Sequence, residues 1–223
     1  MAGEPTPKER MLKNIRKGLI EKKENPYPGL DPDPLYPPNE EYLDLIFATE
    51  FTQVKGEFIF CENESHFSDQ FNALYLENNW KDIRVWDPPL KSILQNNSIS
   101  IGFSPVSGSL INDSRENLEK ADVGFTLCEA LIARNGSVLV SSGLESGRGL
   151  MILPPVHIVL AFHHQLYMDI KQGLAFLKSK YEENFPSSIA FITGPSRTAD
   201  IEKTLVLGAH GPKRLIVFFM DSL

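Results

Sequence analysis

The amino-acid sequence predicts an α/β fold in which helices cover a mostly parallel sheet. Short apolar runs of strand length recur along the chain, and segments with apolar residues at helical spacing lie between them. This alternation is typical of parallel strands, because each parallel pair needs a long crossover connection that a helix usually provides. The runs are continuous rather than alternating, which indicates strands that are buried on both faces.

An N-terminal arm precedes the body of the protein. Within residues 8–24, seven basic residues stand against three acidic ones. Met11, Ile15 and Leu19 recur there at helical spacing, which predicts an amphipathic helix with a basic outer face. Such a face is compatible with plain solvation, with docking to an acidic partner, and with peripheral contact to an anionic membrane. Residues 25–38 hold six prolines and predict an extended connector, because proline interrupts helices and central strands.

We assign the arm to residues 1–38 and an α/β domain to residues 39–223. Strands are predicted at the apolar runs Glu57–Cys61, Ile83–Trp86, Ile99–Phe103, Val123–Leu127, Ser137–Val140, His157–Phe162, Ile189–Thr193 and Leu215–Met220. Helices are predicted over Asn39–Thr52, over a segment that Ser65 caps and that carries Phe67 and Phe71, and over Gln165–Glu183. The second strand stops at Pro88 and Pro89.

Composition and motif content exclude several classes of function. The chain has 223 residues and a net charge of −7, and it lacks the basic excess that nucleic-acid binding usually needs. Two cysteines, Cys61 and Cys128, are too few for a disulfide scaffold, a zinc site or an iron–sulfur cluster. The histidines lack metal-ligand spacing, and the sequence contains neither a nucleotide-binding loop nor a Gly-x-Ser-x-Gly elbow. Without a membrane-length apolar run or a secretory signal, we expect a cytoplasmic protein with no metal or cofactor of its own.

A turn and a glycine-rich loop lie in the middle of the body. Asn135 and Gly136 stand between apolar runs and predict a tight hairpin turn. In the loop 141–149, glycines such as Gly147 let backbone amides approach a ligand, and Arg148 offers a planar fork for a carboxylate or phosphate. The alternative is a hairpin tip with a solvated arginine.

The segment after the seventh predicted strand predicts an anion site. A helix is expected to begin near Thr198, where its unpaired amides and its dipole favour negative charge. Gly194 permits close backbone approach, and Ser196 and Thr198 offer hydroxyl donors. Arg197 adds a charged fork, with Arg148 as the candidate for the opposite wall. The alternative is that Thr198 caps the helix while Arg197 pairs with a carboxylate as a structural clamp.

Several motifs occur together in the second half of the chain. They are Ile132–Ser137, Gly147–Arg148, Leu153–Ile158, Gly194–Glu202 and Leu207–Pro212. In this combination, the residues from Val123 to Asp221 closely resemble the LUD domain family, of the lactate utilization protein C type. The earlier body matches by pattern alone. The family usually has glutamate where this chain has Arg134, so a role that depends on that carboxylate is in doubt here.

The resemblance implies a non-redox accessory subunit of a complex that oxidises L-lactate. Iron–sulfur clusters are then expected in partner subunits, which this chain would bind together with a small anionic ligand such as lactate, a phosphate-bearing compound or a CoA-like compound. His157, in one of the matching motifs, joins Gly147, Arg148, Gly194, Ser196, Arg197 and Thr198 as a candidate ligand contact.

The resemblance also leaves an enzyme open. It implies a fold similar to that of sugar-phosphate isomerases and coenzyme A transferases, and fold at this level does not fix function. The alternative function is therefore a free-standing enzyme of one of these types, acting on an anionic substrate. Its candidate nucleophile is Glu145, in a Glu-Ser-Gly-Arg-Gly loop, where a covalent acyl intermediate would form. A solvated loop glutamate is the competing interpretation of that residue.

Overall fold

The computed structural model describes residues 6–20, 28–29, 42–96, 115–144, 146–198, 206–207 and 211–221. The chain divides into two compact units, Met1–Glu40 and Glu41–Leu223, and each is described by itself. In the first unit, helix α1 spans Pro7–Ile20. Thr6 N donates to Glu9 Oε2 (2.8 Å) and Glu9 N donates to the Thr6 hydroxyl (3.3 Å), a reciprocal N-terminal cap. The end of the predicted helix and most of the connector lie outside the described residues.

The second unit alternates helices with strands. Its helices are α2 Leu43–Gln53, α3 Glu64–Asn78, α4 Pro88–Asn96, α5 Arg115–Lys120 and α6 Ile170–Tyr181. Its strands are β1 Glu57–Cys61, β2 Ile83–Val85, β3 Val123–Leu127, β4 Ala130–Ile132, β5 Ser137–Ser141, β6 Val156–Phe162, β7 Leu166–Tyr167, β8 Ile189–Ile192, β9 Arg197–Thr198, β10 Val206–Leu207 and β11 Arg214–Met220. Among the helices within the described ranges, none combines the length and the apolar character that crossing a bilayer requires.

The main sheet is parallel throughout and has the strand order β1-β11-β6-β3-β2. Strand β6 lies at its centre, and Val156–Ala161 are buried. Leu215–Met220 of β11 are buried as well. The sequence predicted strands at these continuous apolar runs and predicted that they are buried on both faces of the sheet. The predicted α/β fold with a mostly parallel sheet is therefore confirmed.

Each face of the main sheet packs against a different layer. On one face, Phe67 and Phe71 of α3 and Leu90 of α4 pack against the strands in one apolar cluster. On the other face, Phe47 and Phe51 of α2 pack together with residues of a second sheet. The far side of that second sheet packs against α6 through a small cluster that contains Leu177. The order of layers is therefore helices, main sheet, second sheet with α2, and α6.

The second sheet, which the sequence did not predict as a separate layer, has the order β7-β4-β5-β8. Strands β4 and β5 form the hairpin that Asn135-Gly136 predicted. Gly136 has φ +58°, and a Cβ there would lie 2.4 Å from Phe51 N, so both its backbone conformation and its close packing require glycine. Strand β5 pairs antiparallel with both β4 and β8, whereas β7 pairs parallel with β4, so this sheet is mixed.

Several predicted boundaries are wrong for identifiable reasons. Helix α3 is capped by Asn63, whose Oδ1 accepts from His66 N (2.9 Å), and Ser65 lies inside the helix. Pro88 and Pro89 follow the end of β2 but also begin α4. Proline is tolerated there because the N–H groups of the first helical turn have no intrahelical acceptor. The helix predicted from Gln165 begins only after Asp169 caps it. The strand predicted at Ile99–Phe103 lies outside the described residues.

Candidate functional site

A buried carboxylate lies beside the hairpin of the second sheet. Glu129 follows β3 at the carboxyl end of that strand, the edge of a parallel sheet where ligands usually bind. Its side chain is 0 % exposed, yet both of its oxygens are satisfied. Oε1 accepts from the Ser141 hydroxyl (2.6 Å) and from the Tyr181 phenol (2.6 Å), and Oε2 accepts from Lys180 Nζ (2.7 Å). Glu129 therefore joins the hairpin of the second sheet to the end of α6.

The cluster around Glu129 keeps Lys180 charged and Tyr181 neutral. Burial alone would lower the pKa of Lys180, but the hydrogen bond and the negative charge of Glu129 raise it above its ordinary value. Burial raises the pKa of Tyr181, and the hydrogen bond to Glu129 adds to this. Because an isolated buried carboxylate is strongly disfavoured, these partners are what permits a glutamate in this position.

The glycine-rich loop starts from the same cluster. The Ser141 hydroxyl accepts from Gly143 N (3.0 Å), and a Cβ at Gly143 would lie 2.4 Å from the Tyr181 hydroxyl. The next serine, Ser142, lies 3.3 Å from the hydroxyl of Ser187, measured between the two Oγ atoms. Glycine therefore lets the loop pass close over the phenol.

The predicted residues Gly147 and Arg148 lie at this end of the second sheet. Gly147 has φ +59°, the left-handed conformation that glycine adopts without strain. Arg148 is exposed and donates from Nη2 to the Ser187 hydroxyl (2.7 Å), a neutral partner that leaves its charge available. Glu145, the candidate nucleophile of the alternative enzyme, lies outside the described residues.

The predicted anion turn lies elsewhere and has a different environment. Gly194 has φ +80°, and a Cβ there would lie 2.2 Å from the Val54 carbonyl oxygen. Arg197 Nη2 donates to that same oxygen (3.1 Å), and Ser196 N donates to the Pro212 carbonyl (2.9 Å). Arg197 and Thr198 form strand β9 rather than the start of a helix, so the helix dipole expected at Thr198 is absent at that residue.

The two predicted arginines do not face each other. Strand β8 pairs its first residue, Ile189, with Ser141, and its last, Ile192, with Val138. Arg148 contacts Ser187 just before β8, whereas Arg197 lies beyond the other end. The expectation that Arg148 forms the opposite wall of the Arg197 site is therefore wrong. The ligand contacts expected of Gly194, Ser196, Arg197 and Thr198 themselves stay predictions.

His157 occupies an interior position on β6. Its side chain is fully buried, and Nε2 lies 2.9 Å from the Thr126 hydroxyl. Burial lowers the pKa of His157 to about 3, so the ring is neutral at physiological pH. The structure gives this residue a packing environment and a neutral hydrogen-bond partner, and its predicted ligand contact stays a prediction.

Arg134, where the family resemblance leads one to expect glutamate, has a structural role. Its guanidinium donates from Nε to the carboxylate of Asp169, and its backbone amide donates to the Met168 carbonyl (3.1 Å). Asp169 is the residue that caps α6. The arginine thus ties the hairpin turn to the start of that helix.

The two thiols are inert and lie apart from each other. Burial raises the pKa of Cys61 to about 11, and burial together with the charge of Glu129 raises that of Cys128. They belong to the apolar clusters on opposite faces of the main sheet. Within the ranges that the structure describes, no three His, Cys, Asp or Glu side chains are grouped as metal ligands.

Sequence reasoning missed Glu129, Ser141, Lys180 and Tyr181. The available signal was a single acidic residue inside an otherwise apolar stretch, Val123–Ala133, where a charge is expensive unless it is paired. The sequence does not show that Lys180 and Tyr181 contact Glu129, because they lie 51 and 52 residues after it, in a separate helix.

Comparison with known proteins identifies the family. The model of the LUD domain matches residues 46–220. The chain belongs to the LUD domain family. Lactate utilization protein C of Halalkalibacterium halodurans is 35% identical over 145 residues, 64% of this chain and 61% of that protein. The protein of the same name from Bacillus subtilis is 34% identical over 137 residues, 59% of this chain and 57% of that protein. The matched part therefore spans about three fifths of these relatives.

A solved structure of this family shares the fold. The crystal structure of a DUF162 family protein from Deinococcus radiodurans superposes with a TM-score of 0.60 at 16% identity. The match covers 82% of this chain and 99% of that one. At this identity the likeness concerns the fold alone, and it agrees with the parallel sheet and helices of the second unit.

Proposed function

We propose that this LUD domain protein acts in lactate utilization, as a non-redox accessory subunit of a complex that oxidises L-lactate. The observation that carries the proposal is the similarity to proteins named lactate utilization protein C, at 35% identity over 64% of the chain. The role that we propose is binding and assembly rather than electron transfer.

The residues of the chain support placing the redox chemistry in partner subunits. Cys61 and Cys128 lie on opposite faces of the main sheet and are held as neutral thiols. Cluster ligation requires several thiolates that converge on one point, which two separated buried thiols do not supply. Iron–sulfur proteins are therefore the partners that we propose.

The proposed ligand is a small anion bound at the Arg148 end of the second sheet. Arg148 is exposed and donates from Nη2 to the neutral Ser187 hydroxyl, so its guanidinium retains donors for a carboxylate. Gly143 and Gly147 shape the loop beside it. An exposed arginine with free N–H donors next to glycines is the arrangement expected of a site that binds a small anion reversibly.

Reconstitution with candidate partners tests the proposed function. The full chain is combined with candidate iron–sulfur proteins from the same organism, and L-lactate-dependent reduction of a dye is measured with and without this chain. We expect stable co-purification and a rate that falls at least tenfold when the chain is left out. Full activity without the chain, or no association with any such partner, would contradict the proposal.

A further inference from the structure

We propose that Lys180 is an anion-binding residue of this site, and that the site takes a small monocarboxylate rather than a phosphate ester or a coenzyme A thioester. The inference rests on the proposed function and deepens it by naming the class of ligand. It is carried by the position of Lys180, by the surfaces beside its ammonium group, and by the charges at this end of the second sheet.

Lys180 is fixed in place while remaining open to solvent. Its ammonium group donates one hydrogen bond to Glu129, and 40 % of its side chain is exposed. The ammonium group has three N–H donors and interacts with Glu129 and the Tyr181 hydroxyl, so at least one donor remains for water or for a ligand. Because the buried carboxylate already holds the flexible side chain, binding a ligand would cost little additional conformational entropy.

Aromatic rings flank the same ammonium group. Lys180 Nζ lies 5.1 Å from the ring centroid of Tyr181 and 6.0 Å from that of Phe176. Phe176 in turn stacks on Tyr167, with the ring centroids 5.5 Å apart. A cation beside apolar ring surface suits a ligand with one charged end and a short carbon chain, whereas a phosphate group offers nothing to the rings.

A chain of contacts links Lys180 with Arg148. Lys180 contacts Glu129, and Glu129 contacts Ser141 at the start of the glycine-rich loop. The loop then leads through Ser142 to Ser187, the hydroxyl that Arg148 contacts. Both cations thus lie at one end of the second sheet.

The charges at this end disfavour ligands with several negative charges. Lys180 and Arg148 are positive, but Lys180 is already neutralised by Glu129. Two further carboxylates, Glu182 and Glu183, follow the end of α6 and are exposed. Two cations therefore stand against three carboxylates, a net charge of −1, which repels the two or more negative charges of a phosphate ester or coenzyme A more strongly than the single charge of a monocarboxylate.

A structural clamp is the competing explanation, and the choice of variants separates the two. Lys180→Gln removes the cation but leaves Glu129 buried without its ionic partner, which by itself can unfold a protein. The double variant Glu129→Gln/Lys180→Gln removes both charges together, so no buried charge is left without its ionic partner. Lys180→Arg keeps the charge, and Lys178→Gln removes an exposed lysine from the same helix as a matched control.

The test is calorimetric titration of the full chain and these variants with L-lactate, propionate, inorganic phosphate and coenzyme A, together with their melting temperatures. We expect both monocarboxylates to bind the parent more tightly than phosphate or coenzyme A. The double variant should lose at least tenfold in affinity, about 1.4 kcal/mol, with a near-parental melting temperature. Lys178→Gln should match the parent, and Lys180→Arg should keep part of the affinity.

Three results would overturn the inference. These are tighter binding of phosphate or coenzyme A than of either monocarboxylate, unchanged affinity in the folded double variant, and no monocarboxylate binding to the parent. None of them depends on the reconstitution assay. A chain that sustains dye reduction with its partners but binds coenzyme A would keep the proposed function and lose the ligand class.

Discussion

The two ends of strand β8 carry the same residue types in different surroundings. At one end, Arg148 donates to the Ser187 hydroxyl beside the buried carboxylate cluster. At the other end, Arg197 donates to the Val54 carbonyl, and Gly194 packs against that same oxygen. The first end gathers charged side chains from several elements, whereas the second joins one backbone segment to another. Glycine, serine and arginine in a turn therefore indicate close packing as readily as ligand binding.

The largest expected difference between the two ends is in stability. Glu129→Ala removes the group that joins Ser141, Lys180 and Tyr181, so we expect the free energy of unfolding to fall by about 3–5 kcal/mol. Urea denaturation measures this. Glu57→Ala serves as the control, because its ion pair with Arg214 is partly exposed and should contribute about 1 kcal/mol or less. If both variants lost the same free energy of unfolding, the buried Glu129 cluster would contribute no more to stability than the partly exposed ion pair of Glu57.

Two glycine substitutions compare the packing at the two ends. In Gly194→Ala the new Cβ meets a backbone carbonyl at 2.2 Å and the residue keeps φ +80°, so we expect a loss of about 3 kcal/mol. In Gly143→Ala the Cβ meets the Tyr181 side chain, which can move aside. That variant should lose less stability but more anion affinity, as measured by thermal unfolding and calorimetry. The reverse pattern would place the binding site at the Gly194 end.

His157 lies at neither end of β8. Substituting it tests whether this buried residue contributes to the loss of stability at acid pH. Its folded pKa, about 3, lies below the ordinary value of about 6.5, so the unfolded state binds more protons between these values. Stability therefore falls as the pH drops below 6.5, by about 2 kcal/mol at pH 5 from this residue. His157→Gln should lose that part of the dependence in urea denaturation at pH 7.5 and pH 5. The exposed His164→Gln should keep it, and identical pH dependence in both variants would show that carboxylates alone set the transition.

The smallest effects separate the two arginines. Arg148→Ala should change the free energy of unfolding by less than about 0.5 kcal/mol and lower the affinity for L-lactate at least tenfold. Arg197→Ala loses a hydrogen bond to Val54 and should cost about 1 kcal/mol with unchanged affinity. Melting temperature and calorimetry give both quantities. If Arg197→Ala lowers the affinity instead, the anion site predicted at Gly194–Thr198 is the functional one.

Much of the fold was accessible from the sequence because its central strands are locally encoded. The apolar runs of β3, β6 and β11 are buried on both faces, and the hairpin turn at Asn135-Gly136 requires a conformation that its residues favour. Short elements were harder to predict. Strand β7 is two residues long, and only pairing with β4 makes Leu166–Tyr167 a strand rather than the first turn of a helix.

The site was less accessible, because its geometry depends on pairing between distant segments. Gly147 and Arg148 were predicted from local composition, but Lys180 looked like one more exposed lysine on an amphipathic helix. Its role appears only when α6 packs on the second sheet and places it beside Glu129. The helix predicted to begin near Thr198 was wrong for a similar reason. The local sequence is typical of a capped helix start, but the segment forms a strand because Val206–Leu207 pairs with it.

The place of β11 in the main sheet constrains how the protein folds. This strand lies between β1 and β6, and its register joins Glu57 with Ile216 and Cys61 with Met220. The sheet cannot be completed until nearly the whole described chain has left the ribosome, because β1 pairs with a strand that follows it by more than a hundred residues. Such high contact order slows folding and leaves the apolar edges of β1 and β6 uncovered during synthesis. Chaperone protection of the nascent chain is therefore most needed in the interval before β11 emerges.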